Sequence, residues 1–390
     1  MVRVTLRKKD APSYKTAVIE FPALENQLAE KLGTIDIGIG TEKNCLVEKI
    51  SEDSGGLQLL VGQLVSADEM QYLAKRMDSF DQRELQSFHA AAYADKLTSV
   101  KDLINLTFNL NCYTAVTDFS DMAAIGRTYE LNRQGSMRMA ELEQLDGSAV
   151  GRKLLDSGKG EVTPYGVLFR NGNVPEPVYN GAQFPQYSYR GDEVAMVTLE
   201  AGDYADGIQY EYLYLPCWDV EIAKALSRLG VANAADCATH LDSDQLSEEV
   251  QIFFTDDKPL MENLGTLNEL TRCYRGFDRL GTDAFHAIVE LAQPQTPEDV
   301  LVLAQNFYEF AAIPKIRTAE EYGKHIVFQC HDIDQNIESY IDFAHLGKDS
   351  IAMENGAFTP WGYIAYHGNT PAVLELLDGN SQAQTQGMKM

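Results

Sequence analysis

The sequence predicts an α+β protein made by tandem duplication of one module, each copy a small β-rich subdomain, a helical subdomain and a mixed α/β subdomain. Three observations lead there. FDQRELQSFHA, from Phe80, is answered by FDRLGTDAFHA, from Phe277, and Thr163-Pro164-Tyr165-Gly166 by Thr359-Pro360-Trp361-Gly362. The pairing holds its register: Leu73, Asp81, His89, Asp102 and Gly126 match Leu270, Asp278, His286, Asp299 and Gly323 at a separation of 197, and Gly151 and Gly172 match Gly347 and Gly368 at 196. Within each copy, alternating β-branched runs come first and helical apolar spacing follows. The period far exceeds the ~20–50 residues of stacked solenoid repeats. The expected organisation is a first module over 1–173, a linker over 174–194, a second module over 195–369, and a C-terminal segment over 370–390 whose polar tail is expected to be disordered.

Val2–Leu6 and Thr16–Phe21 read as strands. Pro22 then stands as the first residue of a helix carrying Leu24, Leu28 and Leu32 on one face. The second copy repeats this: Tyr210–Leu215 as strand, Pro216 as helix start, and Val220, Ala223 and Leu226 as the apolar face. Cys45–Ile50 and Leu57–Val61 also look strand-like. Ser66–Met77, Asp81–Ala92 and Ser99–Leu110 have helical spacing. Asp81 with Glu84 forms a capping box; Asp278 keeps the cap although Gly281 replaces the glutamate. Thr296-Pro297-Glu298-Asp299 is a further helix start, with hydroxyl cap, proline and first-turn acids. A short helix surrounds Gly151 and Gly347. The Thr-Pro-aromatic-Gly turn follows, leading into strands at Val167-Leu168-Phe169 and Tyr363-Ile364-Ala365.

At 45% apolar and 23% charged residues the chain is globular rather than disordered. Its apolar runs are too short to span a membrane, and the N-terminus lacks the apolar core of a signal peptide, so a cytoplasmic protein is expected. Six cysteines show neither CxxC spacing nor a counterpart in the other copy, as expected of reduced thiols. Net charge is −26 and uneven: residues 1–190 hold 21 basic and 25 acidic side chains, residues 191–390 hold 11 and 33. Copies that share a fold but not a charge imply that the charge is no requirement of the fold. It serves either solubility or a polyanionic face for a basic partner.

Catalytic signatures are missing. There is no P-loop, nucleophile elbow or HExxH. Ile37-Gly38-Ile39-Gly40 lacks the third glycine of a dinucleotide site. Asp332-Ile333-Asp334-Gln335-Asn336 begins like a calcium loop, but Ile337 stands where glycine must turn the chain. Asn105-Leu106-Thr107 matches a glycosylation acceptor inside a helix, where it carries no meaning. His89 and His286, the repeated histidines, are the best catalytic candidates by persistence, but with no second histidine or cysteine at ligand spacing they read as hydrogen-bonded helix residues. No catalytic residue, metal site or cofactor is expected. Sparse, unclustered Lys and Arg on a chain of this charge exclude a nucleic-acid binder.

Each module resembles the ArdA-type antirestriction proteins of mobile genetic elements, such as conjugative transposons. The stretches that carry the resemblance are the strand pair leading into Phe21-Pro22 and its helix, the Met70–Ala90 helices, Asp121–Arg127, Leu145–Arg152 and Tyr165–Phe169. In the second copy they are Glu320–Gly323, Ile341–Gly347 and Trp361–Ile364. The resemblance implies a three-part, acidic, non-catalytic module that mimics bent duplex DNA and occupies the DNA-binding groove of a type I restriction–modification enzyme. This chain departs from the pattern in joining two modules, which implies a single-chain pseudo-dimer able to dimerise further, and in the near neutrality of its first module. The expected anionic face lies in the second module: Asp242, Asp244, Glu248, Glu249, Asp256, Asp257 and Glu262, with Glu320, Glu321, Asp332, Asp334, Glu338 and Asp342. The plain alternative for these residues is a solvated loop and ordinary polar helix faces. The alternative function is a two-module interaction scaffold of a mobile element.

Overall fold

The computed structural model describes residues 1–202, 207–232, 234–255, 260–329 and 339–367, and residues 375 and 377. Contacts divide the chain into two units. One comprises Met1–Tyr189, Gln209–Glu211 and Trp218–Ala232; the other comprises Arg190–Ile208, Tyr212–Cys217 and the residues from 233 onward. All strand pairs with a defined register are antiparallel, as an α+β protein requires.

The first unit contains, in order, β1 (Val2–Lys8), β2 (Thr16–Phe21), α1 (Glu25–Gly33), β3 (Cys45–Ile50), β4 (Leu64–Val65), α2 (Ala67–Asp78), α3 (Gln82–Ala94), α4 (Val100–Phe108), β5 (Tyr113–Val116), α5 (Met122–Gln134), α6 (Met139–Gln144), α7 (Gly147–Asp156), β6 (Glu161–Thr163) and β7 (Gly166–Arg170). One sheet runs β2-β1-β3-β4 and another β5-β7-β6. Burial alternates strictly along β2, so Ala17, Ile19 and Phe21 enter the core with Val4 and Leu6 of β1. Leu28 and Leu32 of α1 are fully buried in the same core.

Ser66 caps α2 by accepting from the Glu69 N–H. The capping box of α3 is present in both directions, with Asp81 accepting from the Arg83 and Glu84 N–H groups and Glu84 from the Asp81 N–H. The stretch expected as a linker is packed through residue 189: Tyr179 and Phe184 are buried in the first core, their rings stacked at 5.1 Å. Asn105 holds it by donating to the Tyr179 carbonyl and accepting from the Tyr179 N–H, and Asn109 grips Glu176 in the same two-way manner.

Two expectations about where elements begin and what they are need correction. Neither Pro22 nor Pro216 begins a helix. Both follow cis peptide bonds, and the helices start three residues later, at Glu25 and Asp219. Leu57–Val61 is not a strand but part of a 3-10 helix, Gly55–Leu60. Gly55 has a positive φ of 56°, and a Cβ there would lie 2.5 Å from the His89 ring, so the backbone is pressed against α3 where a strand cannot run.

The remaining elements are β8 (Ala195–Ala201), β9 (Gln209–Leu215), α8 (Asp219–Leu229), β10 (Ala238–Asp242), α9 (Glu248–Thr255), α10 (Leu264–Tyr274), α11 (Arg279–Ala292), α12 (Pro297–Gln305), β11 (Phe310–Pro314), α13 (Ala319–Gln329), α14 (Phe343–Glu354), β12 (Ala357–Thr359) and β13 (Gly362–Tyr366). Of these, α8 and the first three residues of β9 belong to the first unit. The sheets run β10-β8-β9 and β11-β13-β12. Asp278 caps α11 through the Gly281 N–H, and Thr296 caps α12 through the Asp299 N–H. Thr359 Oγ1 donates to the Gly362 carbonyl and accepts from the Trp361 N–H, as Thr163 does with Gly166 and Tyr165; these bonds close the β12–β13 and β6–β7 turns.

The repeated glycines have a common physical cause. A Cβ on Gly126 of α5 would stand 2.0 Å from the Gly147 carbonyl oxygen, and one on Gly151 of α7 2.2 Å from that of Met122. A Cβ on Gly323 of α13 would stand 2.0 Å from the Phe343 carbonyl oxygen, and one on Gly347 of α14 1.8 Å from that of Ala319. Both helix pairs pack backbone against backbone, which only glycine permits.

Candidate functional site

The repeated histidines join three parts of their units. His89 Nδ1 accepts from the Gly56 N–H at 3.1 Å, and its ring lies 5.6 Å from that of Tyr165, in the Thr-Pro-aromatic-Gly turn. His286 Nε2 accepts from the Ser247 N–H at 3.4 Å, and its ring meets Trp361, of the other such turn, edge-on at 4.8 Å. Burial drives the His89 imidazole down to about 4, and burial also lowers His286, against the opposing pull of Asp283 and Glu249. Both are neutral acceptors at physiological pH.

This has a measurable consequence. The unfolded chain takes a proton at His89 below about pH 6.5, whereas the folded chain resists until about 4. Stability is therefore lost as pH falls through that window and levels off below it, by roughly 3 kcal/mol in all. His89→Gln keeps an acceptor that does not titrate. Urea unfolding at pH 7 and pH 4 should show the wild type losing about that much more than the variant.

The expected acidic positions that are described all lie at the surface. Asp242 ends β10, Asp244 follows it, Glu248 and Glu249 open α9, and Glu262 closes the turn Leu260–Glu262. Glu320 and Glu321 open α13, and Asp342 caps α14. Some have local work. Asp342 accepts from the His345 N–H, Glu321 accepts from the Arg317 and Thr318 N–H groups, and Glu320 pairs with Lys324 at 3.2 Å. Hydrogen bonds from the backbone N–H of Arg317 hold Glu321 below the usual carboxylate range, and those from its own N–H and from Ser247 do so for Glu249. Among the described residues, the side chains of Asp242, Asp244, Glu248 and Glu262 engage no hydrogen bond or ion pair. Asp256, Asp257, Asp332, Asp334 and Glu338 lie outside the described residues.

The charge imbalance follows the units. The first carries 28 acidic and 22 basic residues, the second 30 and 10. In the first, several acids meet partners: Arg3 with Glu20, Arg7 with Glu48, Lys15 with Asp36, Arg133 with Glu130, and Arg170 with both Asp95 and Glu161. Exposed pairs stabilise by only ~0–1 kcal/mol, so the matching chiefly cancels the unit's outward field. The second unit has too few bases to do the same.

Sequence reasoning missed a charge cluster in the interior of the first unit. Lys224 Nζ of α8 lies 2.7 Å from Glu25 Oε2 of α1 and 3.2 Å from Asp68 Oδ1 of α2. Arg228, one turn on, reaches Asp68 at 2.6 Å and Glu211 at 2.8 Å. Lys75 holds the other oxygen of Glu25 at 2.7 Å, and Glu69 accepts from Tyr179 at 3.1 Å. Burial pushes the Glu25 carboxyl up, but Lys75 and Lys224 overcome it and hold the group down at about 2. Burial raises Glu211 despite Arg228.

The expected apolar face of α8 is thereby corrected. Ala223 is exposed and Val220 and Leu226 are only half-buried, while Lys224 and Ala225 are the buried positions. The available signal was Glu25, Asp68 and Glu69 standing at core-facing helix positions with no local basic partner to explain them.

Among the described residues, no three His, Cys, Asp or Glu side chains are grouped to hold a metal, and no helix is long and apolar enough to cross a membrane. Cys45, Cys112, Cys217, Cys237 and Cys273 are in no disulfide. No protein-family model matches the chain, and no curated protein matches it.

Proposed function

We propose that the chain is a non-catalytic antirestriction protein, a tandem duplication of an elongated ArdA-like module. Its second copy acts as an acidic mimic of DNA in the DNA-binding groove of a type I restriction–modification enzyme. The observation that carries this reading is the second unit's excess of acids, 30 against 10 bases, with Asp242, Asp244, Glu248 and Glu262 at its surface, beside a first unit that holds 28 acids and 22 bases. The repeated glycine contacts, turns and histidine acceptors support the duplication.

The physics is that of duplex recognition. DNA presents one negative charge per ~1.7 Å of axis, and its enzymes meet it with Lys and Arg. Carboxylates that no local base neutralises can occupy the phosphate-binding positions and release the same counterions, without base contacts. Asp242, Asp244, Glu248 and Glu262 are the sharpest probes, because among the described residues their side chains engage no partner. Neutralising all four to Asn or Gln is expected to leave folding unchanged and to lower the salt slope of binding to a type I methyltransferase by roughly 3. An unchanged slope would exclude these residues from the interface. The near-neutral first unit favours, as the second reading, a two-module scaffold of a mobile element. That reading expects binding that salt hardly alters.

A further inference from the structure

Helices α1 and α8 occupy corresponding places in the two copies but are seated by different physics. α1 is held by Leu28 and Leu32, both fully buried. α8 turns Glu221, Lys224 and Arg228 toward its seat, three and four residues apart on one stripe of the helix. The seat is made of Glu25 on α1 and Asp68 on α2, with Glu69 and Lys75 beside them, and Glu211 meets Arg228 from the other side. Phe184 lies under the Arg228 guanidinium at 5.1 Å. Thr41 and Ser227 exchange a hydrogen bond at the rim, 3.0 Å long.

A buried ionic seat is a poor glue and a good discriminator. Its Coulomb gain is set against the desolvation of every charge in it, yet an occupant without the matching cations leaves carboxylates buried and uncompensated. The match here is incomplete as well: Glu69 Oε2 and Arg228 Nε are buried without a hydrogen-bond partner. Such a site specifies what docks more than it adds stability.

Residues 1–189 lie wholly in the first unit, and from residue 190 onward only Gln209–Glu211 and Trp218–Ala232 return to it. The seat and its occupant are thus joined covalently by one connection, Tyr189–Arg190. The ion pairs are the same whichever copy of the chain supplies the helix, the condition under which identical elements exchange between protomers.

We propose that the Glu25–Asp68 seat is a docking site specific for a helix bearing lysine and arginine four residues apart, and that α8 is an exchangeable occupant. Two copies of the chain then pair by placing each α8 in the other's seat. This goes beyond the antirestriction reading and does not depend on it, because no restriction enzyme enters the test. A protease site is inserted between Tyr189 and Arg190 of the full chain, and the folded protein is cut. Two such preparations, one tagged at residue 1 and the other at residue 390, are then mixed.

The halves are expected to remain together at low salt and to form doubly tagged pairs on standing. Lys224→Met with Arg228→Met is expected to lower retention of the halves at least a hundredfold. Lys224→Arg, which keeps the charge, should retain them, and Lys224→Gln, which loses it, supplies the comparison if the double variant does not fold. Halves that part at once in the wild type, an absence of mixed pairs, or retention that ignores the charge at 224 would overturn the proposal.

Discussion

Gly347→Ala is expected to destabilise the second unit by about 3 kcal/mol or more, although alanine in a helix ordinarily gains ~1 kcal/mol over glycine. The sign reverses because the added Cβ would lie 1.8 Å from the Ala319 carbonyl oxygen and 3.1 Å from the Gly323 N. Both obstacles are backbone atoms of α13, so no rotamer change relieves them and the two helices must separate. Gly126→Ala should behave alike in the first unit, where the obstacle is the Gly147 carbonyl oxygen at 2.0 Å. Gly265→Ala, in α10 with nothing within 4 Å of the added carbon, is the matched control and should be neutral or slightly stabilising. Denaturant melts of the three variants read the effect directly. A Gly347→Ala protein as stable as the control would mean that α13 and α14 do not approach as described.

Lys224→Met is expected to cost about 3–5 kcal/mol, far more than an average substitution. The side chain is 3% exposed and touches two carboxylates. Methionine fills much of the volume but leaves Glu25 with Lys75 as its one cation, beside the Gln71 amide, and Asp68 with Arg228 as its one cation. The loss comes from stranded charge, so removing the stranded partner should recover part of it. In a double-mutant cycle, Asp68→Asn combined with Lys224→Met should be less damaging than the sum of the two changes, with a coupling of 1 kcal/mol or more. Additive effects would show that Lys224 matters through packing instead.

Much of the local structure could be read from the sequence because its signals are short-range. Asp81, Asp278 and Thr296 cap helices as their patterns predict, and the strict alternation of β2 announces a half-buried strand. What could not be read depends on partners distant in sequence. The positive φ of Gly55 and its contact with His89, 34 residues away, turn an apolar run into a 3-10 helix. Lys224 sits among apolar residues and looks like a solvated side chain until Glu25, 199 residues earlier, is placed beside it. Nothing in the helix pattern around Asn105 marks a structural role, yet it secures Tyr179, 74 residues on. The anionic positions fell between these cases. Acid density located Asp242, Asp244 and Glu248, but only the structure separates them from Glu321 and Asp342, whose carboxylates serve helix starts.

A solvated helix face and a DNA-mimicking face have the same composition, and they differ in whether a basic partner recognises the charge. Competition between the protein and a labelled duplex for a purified type I methyltransferase, repeated from about 50 to 200 mM salt, is the direct test. The protein should displace the duplex, and its affinity should fall steeply with salt, as DNA's own does when several phosphates are neutralised. No displacement, or displacement that salt leaves unchanged, would contradict it.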